Sequence, residues 1–340
     1  MRWGRIIGGL LALFLFHVTV AAFSSPKGQF VYKKQYSMGT VYEIAAYSPS
    51  IDRASQAIDA AFKAIAALDH MMSNYDAQSD LSRLDRGAHF HAVRVPLDLF
   101  RVIQDSLVYS KESDGKYDVT VAPLVDAWKS AMRSGAIPSA VRINKLRSCV
   151  GYRKVQLIPT GWIEFHSPCL RIDLGSIAKG YAVDRAVEVL RSRNIHNALI
   201  NAGGSTLYGM GAPPGRAGWS IRLRDPSGRV RPEVILRDDS VSTSEQEKQS
   251  LMDAGEFGHL IDPITGQPAR SSFAVSVVAK TATATDGLST TLYLMGPEAG
   301  AQLVRKLSDV AAIWVSPTGQ TKAASTGPKI LLHQSQGGNP

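Results

Sequence analysis

Residues 173–184 read DLGSIAKGYAVD, and the interpretation of the chain starts from this stretch. The apolar lead-in at 170–172 is typical of the end of a strand, and Asp173 follows it directly, before a Gly-Ser turn. Apolar residues then recur at the spacing of one helix face, at Val183, Ala186, Val187 and Leu190. The stretch therefore predicts a strand, a tight turn and a helix, with a carboxylate beside the turn.

Two interpretations of this turn stay open. Lys179 and Gly180 lie near the predicted helix start, where backbone N–H groups without helical partners suit a phosphate group. The glycine would then let a ligand approach the backbone closely. The alternative is an ordinary helix start, in which Asp173 is the cap and Gly180 serves packing.

The chain has 340 residues, of which 44% are hydrophobic and 20% charged, a globular composition with ample length for a core. Its start differs: two arginines precede an apolar run at 6–16, and Val20 and Ala22 fit the small-residue positions of a cleavage site. This pattern predicts a secretory signal peptide at 1–22. An uncleaved anchor is the alternative, but the apolar stretch contains His17 and falls short of the roughly 20 residues that span a membrane.

We expect one domain at 23–333, a disordered tail at 334–340 and a periplasmic location. Cleavage removes two arginines and no acid, which lowers the net charge from +9 to +7. An exported protein meets little nucleic acid, so this charge fits a polyanionic small molecule or loose association with an anionic membrane surface. We interpret as the solvated face of a hairpin, rather than as a binding site, the arginines Arg216, Arg222, Arg224, Arg229 and Arg231.

The two cysteines, Cys149 and Cys169, flank a predicted hairpin at 150–166. The opposed ends of a hairpin can come within disulfide reach, and export leads to an oxidising compartment, so we expect a disulfide bond. Two buried thiols are the alternative. No cysteine lies near the cleavage site, so we expect no lipid anchor there.

Hydrophobic periodicity predicts the elements before the central helix. Strand-like alternation at 30–47 is interrupted at 37–40. A helix is expected at 52–72, with Asp52 as its cap, and a second helix at about 96–112. The polar stretch between these two helices is interpreted as a loop.

The segment 114–128 contains an aromatic residue, acids and hydroxyls and is bent by Pro123, so it either faces a ligand or begins a helix. Paired glycines at 203–204 permit close backbone approach to a neighbour or ligand. The later elements are predicted as strands at 197–201, 219–225, 233–237, 273–280 and 310–315, the last closing the chain, and as helices at 284–295 and 297–307.

Two places could carry chemistry outside the central turn. Asp286 and Thr290 are four residues apart on a predicted helix, so a carboxylate and a hydroxyl share one face and suit Mg²⁺. The alternative is structural, with the acid near the helix start and the threonine bonded to its own helix. His259 precedes an Asp-Pro turn and is either a general base or a structural histidine. The sequence lacks the P-loop, dinucleotide, zinc-protease and CxxC motifs.

Taken in order, these fragments resemble the FAD:protein FMN transferases, the ApbE family. The matching pieces span roughly residues 36–296 and are 38–40, 72–75, 115–124, 173–184, 201–204, Trp219 with 225–226, 242–244, 259–266 and the pair Asp286 and Thr290. The resemblance implies an α+β fold of two packed α/β subdomains, with FAD and Mg²⁺ between them. Glu245 stands where the family usually has glycine, so that loop is expected to differ.

The resemblance also implies roles for particular residues. His259 matches the histidine thought to assist catalysis. Metal ligands would be Asp286, Thr290 and backbone oxygens near Ser176 and Ser289. Tyr75 and Tyr117 are candidates for stacking on the flavin or adenine. FAD would be contacted by Met38, Tyr75, Lys116, Tyr117, Asp118, Asp173, Lys179 and Leu260.

The activity that the resemblance implies is transfer of FMN from FAD to a threonine of an exported protein, such as a subunit of an electron-transfer complex, with release of AMP. Three alternatives remain at this point. The first is an FAD pyrophosphatase, in which water replaces the threonine. The second is a non-enzymatic flavin carrier or accessory factor, and the third is an unrelated exported binding protein.

Overall fold

The computed structural model describes residues 28–245, 249–251, 255–257 and 260–332. The predicted signal peptide at 1–22 and the tail at 334–340 lie outside these residues. Within the described part of the chain, no helix combines the length and the apolar character that a membrane crossing requires.

The helices are α1 Ile51–Met72, α2 Asp80–Gly87, α3 Leu97–Glu112, α4 Ala122–Ser134, α5 Ala140–Arg147, α6 Ala178–Ser192 and α7 Ala282–Val304. The strands are β1 Gln29–Ser37, β2 Thr40–Ser48, β3 Val93–Arg94, β4 Val155–Ile158, β5 Trp162–Phe165, β6 Asn197–Ala202, β7 Thr206–Met210, β8 Trp219–Arg222, β9 Pro232–Leu236, β10 Asp239–Ser244, β11 Gln249–Leu251, β12 Gly255–Phe257, β13 Ala274–Ala279, β14 Ala311–Val315, β15 Thr321–Ser325 and β16 Leu331–Leu332.

A large antiparallel sheet organises the described residues, in the strand order β1-β2-β6-β7-β10-β13-β14-β15. Helix α6 packs against both α1 and α7, and these three helices cover one face. The β8–β9 hairpin covers part of the other face, where Trp219 and Leu236 join Val241 and Val278 of the sheet. Every residue of β13 is consequently buried. This arrangement of helices on an antiparallel sheet is the predicted α+β class.

Helix α1 shows how the sequence sets an element. Its predicted apolar face, from Ile58 to Met72, is buried in the main core. The cap is Ser50 rather than the predicted Asp52, because the Ser50 hydroxyl accepts the N–H of Arg53 at 3.3 Å. Asp52 lies in the first turn, where a carboxylate favours the helix dipole.

Several predicted boundaries are wrong. Helix α2 occupies the stretch interpreted as a polar loop, and β15 and β16 follow the strand expected to close the chain. No strand forms at 170–172: Arg171 makes only an isolated bridge to Val121. The Ile172 N–H donates instead to the carboxylate of Asp85, 3.1 Å away, so it is unavailable for a ladder.

The first turns of α6 and α7 each donate backbone N–H groups to a carboxylate of the other helix. Asp184 of α6 accepts the N–H groups of Ala282 and Thr283 at the start of α7, each at 2.8 Å. Asp286 of α7 accepts the N–H of Gly180 in α6 at 2.9 Å. The two helices therefore exchange caps, a contact between segments 106 residues apart.

The kink in α7 matches the two predicted helical segments. Gly296 breaks the helix with a φ of 77°, which glycine adopts readily, and Pro297 begins the second part. The first part begins at Ala282, two residues before the predicted start, because the Thr281 hydroxyl accepts the N–H of Ala284 at 3.2 Å.

The predicted disulfide is confirmed. Cys149 and Cys169 are bonded, with their Cα atoms 5.2 Å apart. The predicted hairpin between them is also present as β4 and β5, to which β3 adds a third strand. The bond joins the segment after α5 to the segment that leads into the 173–177 turn.

Removing this disulfide is expected to lower the free energy of unfolding. Replacing Cys149 and Cys169 together by serine should cost about 3 kcal/mol, because the bond closes a chain loop of 20 residues. Chemical denaturation of both proteins measures the difference. Reduced wild type should unfold at the same denaturant concentration as the double variant, and equal stability of the oxidised wild type and the variant would contradict the expectation.

Candidate active site

A cleft of about 1190 Å³ opens between the α6–α7 pair, the 38–40 turn, the segment after α3 and the β8–β9 hairpin. This volume exceeds the roughly 300–1,000 Å³ usual for small-molecule pockets, so the cleft has room for an extended ligand. Loops converge here from distant parts of the chain. The turns at 173–176 and 203–205 meet the first part of α7 at its wall.

Asp286 is a buried carboxylate in this wall. The residue is only 5% exposed. One oxygen accepts the N–H of Gly180 at 2.9 Å, and the other accepts the hydroxyl of Thr206 at 3.2 Å. The Lys179 ammonium lies 3.8 Å from the carboxylate. The acid is therefore oriented by two donors and partly neutralised by one cation.

Gly180 makes this contact possible. A Cβ at this position would lie 2.2 Å from the carbonyl oxygen of Ala282 and 2.7 Å from the Cβ of Asp286. Both distances are far below van der Waals contact. The packing interpretation of Gly180 is therefore supported, and the close approach is of one helix to the other.

The start of α6 agrees with the packing role of Gly180 but not with the predicted cap. Asp173 is not the cap: its carboxylate accepts the N–H of Gly175 at 2.8 Å, within the turn. The carboxylate that accepts an N–H group of the first turn of α6 is instead that of Asp286 in α7. Ile177 and Ala178 donate their N–H groups to the carbonyl of Leu174. Fewer donors are therefore open to a phosphate than the sequence suggests, and the Lys179 side chain is the main cation of this turn.

Hydroxyl groups surround Asp286. Thr290, one helical turn along α7, lines the cleft, and its oxygen lies 3.3 Å from the hydroxyl of Ser244. Ser289 is buried, and its hydroxyl contacts Ser244 at 2.9 Å and donates to the carbonyl of Asp286. In the 173–176 turn, Ser176 donates to the hydroxyl of Tyr117 at 3.0 Å. The predicted partners Asp286, Thr290 and Ser176 thus share one cavity, whereas the Ser289 side chain points into the protein.

These donors fit a hard divalent cation. A carboxylate, hydroxyls and backbone carbonyls are the oxygen ligands that Mg²⁺ takes, usually with water or phosphate completing its shell. Among the described residues, no cluster holds three or more histidine, cysteine or acidic side chains. A cation beside Asp286 would therefore depend on hydroxyls, carbonyls and ligand oxygens.

Most of the residues predicted to contact FAD line the cleft. These are Met38, Tyr117, Asp118, Asp173, Lys179 and Leu260. Tyr117 is 1% exposed and packs edge-on against Tyr109, so its ring offers little surface for the proposed stacking. Burial raises the pKa of the Tyr117 hydroxyl. The sequence correctly selected the segment 114–128, which both faces the cleft and leads into α4.

Asp118 also has a structural task. Its carboxylate accepts the N–H and the hydroxyl of Thr120 and the N–H of Tyr152. Burial raises the pKa of this carboxyl group, although these hydrogen bonds act in the opposite direction. Asp118 therefore fixes the loop that lines the cleft.

Three predicted residues are placed differently. Tyr75 is 85% exposed and outside the lining, but its hydroxyl accepts the ammonium of Lys129, which does line the cleft. Lys116 is also outside the lining and pairs with Asp262 at 3.0 Å. His259 lies outside the described residues, directly before Leu260 in the lining. The roles of all three stay predictions.

Three of the five arginines interpreted as a solvated hairpin face also lie at the cleft. Arg222, Arg224 and Arg231 line the cleft. Arg224 pairs with Glu245 at 2.9 Å, so the residue that departs from the family pattern ties the end of β10 to the hairpin. Arg222 and Arg224 are two apart beside a strand, a spacing that places side chains on one face and could have indicated a shared surface.

Comparisons with known proteins agree with this architecture. The ApbE family matches residues 38–314 of the chain. An FAD:protein FMN transferase of Treponema pallidum is 26% identical over 309 residues, covering 85% of each protein. One of Klebsiella pneumoniae is 28% identical over 261 residues, covering 75% of this chain and 80% of the relative.

Solved structures give the same result. The flavin transferase ApbE from Vibrio cholerae has a TM-score of 0.79 and 26% identity, and covers 88% of this chain and 98% of that chain. The ApbE protein from Thermotoga maritima gives the same four values. The fold is that of a class of transferase enzymes. The chain belongs to the ApbE family.

Proposed function

We propose that this protein is an FAD:protein FMN transferase that moves the FMN part of FAD to a threonine hydroxyl of an exported acceptor, with release of AMP. The observation that carries the proposal is the convergence of Asp286, Thr290 and the 173–176 turn in one large cleft. The names of the curated relatives and of the solved structures support it. A subunit of an electron-transfer complex is the expected kind of acceptor.

The proposed metal is Mg²⁺, held by Asp286, Thr290 and backbone oxygens near Ser176 and Ser289. When bound beside a diphosphate, Mg²⁺ offsets the negative charge that develops on the phosphate oxygens. The hydrogen bonds from Gly180 and Thr206 hold the Asp286 carboxylate in place for this task. Lys179 adds a second positive charge on the same side of the cleft.

The reaction breaks the phosphoanhydride bond between the two halves of FAD and forms a phosphate ester bond to the acceptor. The threonine oxygen of the acceptor bonds to the phosphorus of the FMN part, and the bond from that phosphorus to the AMP oxygen breaks. His259 takes the proton of the threonine hydroxyl, and AMP carries the electron pair of the broken bond away. The walls of the cleft align the two reactants, which is the main task of a protein in phosphoryl transfer.

The decisive experiment mixes the protein with FAD, Mg²⁺ and a candidate acceptor and follows flavin fluorescence of the acceptor band in a denaturing gel. A fluorescent band that depends on the acceptor threonine supports transfer. Rapid release of AMP without an acceptor would support the pyrophosphatase instead. Tight FAD binding without metal dependence or turnover would support a flavin carrier.

Replacing His259 by alanine is expected to leave FAD affinity unchanged and to lower the transfer rate by roughly 10²–10⁴-fold, because a positioned general base contributes that much. Equilibrium titration with FAD and single-turnover transfer rates measure the two effects. Loss of FAD affinity with an unchanged rate for bound FAD would make His259 a positioning residue.

We also propose export through the 1–22 segment, since its charge and apolar pattern are those of a cleaved signal. The N-terminal sequence of the protein recovered from a periplasmic fraction would test this proposal. A start after Ala22 supports cleavage, and an intact N-terminus in the membrane fraction supports the anchor.

A further inference from the structure

The cleft has a second charged wall, on the side away from α6. The β8–β9 hairpin lies on the opposite face of the large sheet from the helices, where Trp219 and Leu236 anchor it. The end of the hairpin that carries the loop between β8 and β9 reaches the cleft, and Arg222 and Arg231 are exposed there. Cations therefore stand at the rim on an element separate from the one that carries Asp286.

The two guanidinium groups are open to a ligand. Within residues 28–245, 249–251, 255–257 and 260–332, neither Arg222 nor Arg231 has an ion-pair partner, whereas the neighbouring Arg224 is bound to Glu245. Asp225 is an ionised carboxylate at the same cleft, but it accepts hydrogen bonds from its own loop and, among the described residues, forms no ion pair with either arginine. Burial alone would raise the pKa of Asp225, but these bonds outweigh it and lower the pKa to about 2.

The backbone at Arg231 is held in an unusual conformation. Its φ is 44°, in the left-handed region that costs a non-glycine residue roughly 1 kcal/mol or more. Asp225 fixes this conformation by accepting the N–H of Arg231 at 3.1 Å. Arg231 is thus held by its own loop at a position that lines the cleft.

We propose that Arg222 and Arg231 bind an acidic segment of the acceptor protein and guide its threonine into the cleft. This inference rests on the proposed transferase function. Guanidinium groups bind carboxylates in paired hydrogen bonds, and exposed charges at the rim of a cleft meet a macromolecular partner first. The diphosphate of FAD has other partners in the proposed site, at Lys179 and the metal beside Asp286.

The test measures binding alone and so does not depend on transfer. The probe is a fluorescein-labelled peptide with a central threonine flanked by aspartates, compared with the same peptide carrying asparagines. Its affinity is measured by anisotropy in saturating FAD for wild type, for the double variant R222E/R231E, and for R216E. Arg216 is exposed in the same region but outside the cleft lining, so R216E is the control for reversing one charge outside the cleft.

We expect the aspartate peptide to bind wild type and R216E alike and to bind the double variant at least tenfold more weakly, with affinity falling as salt rises. Equal binding of the asparagine peptide, or an equal loss in R216E, would overturn the proposal. So would a tenfold loss of FAD affinity in the double variant with peptide binding intact, since the arginines would then serve the dinucleotide. A protein that binds the peptide but transfers no FMN would contradict only the proposed function.

Discussion

Replacing Asp286 by alanine is expected to lower the rate of FMN transfer by roughly 10²–10³-fold, which is the loss seen when a group that stabilises developing charge is removed. Asp286 is the buried carboxylate among the proposed metal ligands. The rate is measured by flavin fluorescence of the acceptor, and Mg²⁺ binding in the presence of FAD is measured by calorimetry. Transfer activity and Mg²⁺ binding should be lost together.

Alanine also leaves the Gly180 N–H and the Thr206 hydroxyl without their acceptor, at a cost of about 1–3 kcal/mol each. The Asp286→Asn variant reduces this structural cost, because its amide oxygen can still accept one of the two hydrogen bonds while the charge is removed. Glu298→Ala is the control, an exposed acid on the same helix paired with Lys322. An asparagine variant that transfers FMN at the wild-type rate would show that the metal assignment is wrong.

The second large effect is on stability. Gly180→Ala is expected to lower the free energy of unfolding by about 2–3 kcal/mol, because overpacking a close contact forces the backbones apart. The new Cβ would lie 2.2 Å from the Ala282 carbonyl, which cannot move without shifting the start of α7. Transfer should fall as well, since that shift displaces Asp286.

Chemical denaturation and transfer rates of two adjacent variants test this expectation. Lys179→Ala changes the preceding position in the same turn, where the side chain is partly exposed and pairs with Asp286 only at 3.8 Å. The Lys179→Ala protein should lose transfer activity with little change in its free energy of unfolding. The Gly180→Ala protein should lose transfer activity and also be less stable. A Gly180→Ala protein as stable as wild type would mean that the helices separate at low cost.

The parts of the fold with strong local signals were predictable. Helices α1 and α6 each have a long apolar face, and the pair Asp286 and Thr290 shares a face by spacing alone. The sequences of the short elements contain no such apolar face. Helix α5 has one buried residue, Ile143, and β15 alternates between exposed and partly buried residues at the edge of the sheet.

The parts of the site that join distant segments were not predictable from local pattern. Nothing near Gly180 in the sequence indicates that its N–H meets a carboxylate 106 residues later. The arginines of the hairpin likewise reach the cleft only because β8 and β9 lie across the sheet. The family resemblance located most of the cleft residues, but the capping role of Asp286 and the arginine wall required the three-dimensional structure.

The exchange of caps between α6 and α7 has a consequence for the order in which the molecule matures. As the polypeptide emerges from its N-terminal end, α6 is complete long before residue 286 has been synthesised, so its first turn must wait for a late segment. Catalytic competence would then arise in the closing stage of folding. A truncated, prematurely terminated product could hold much of the sheet and yet have no functional centre with which to consume FAD.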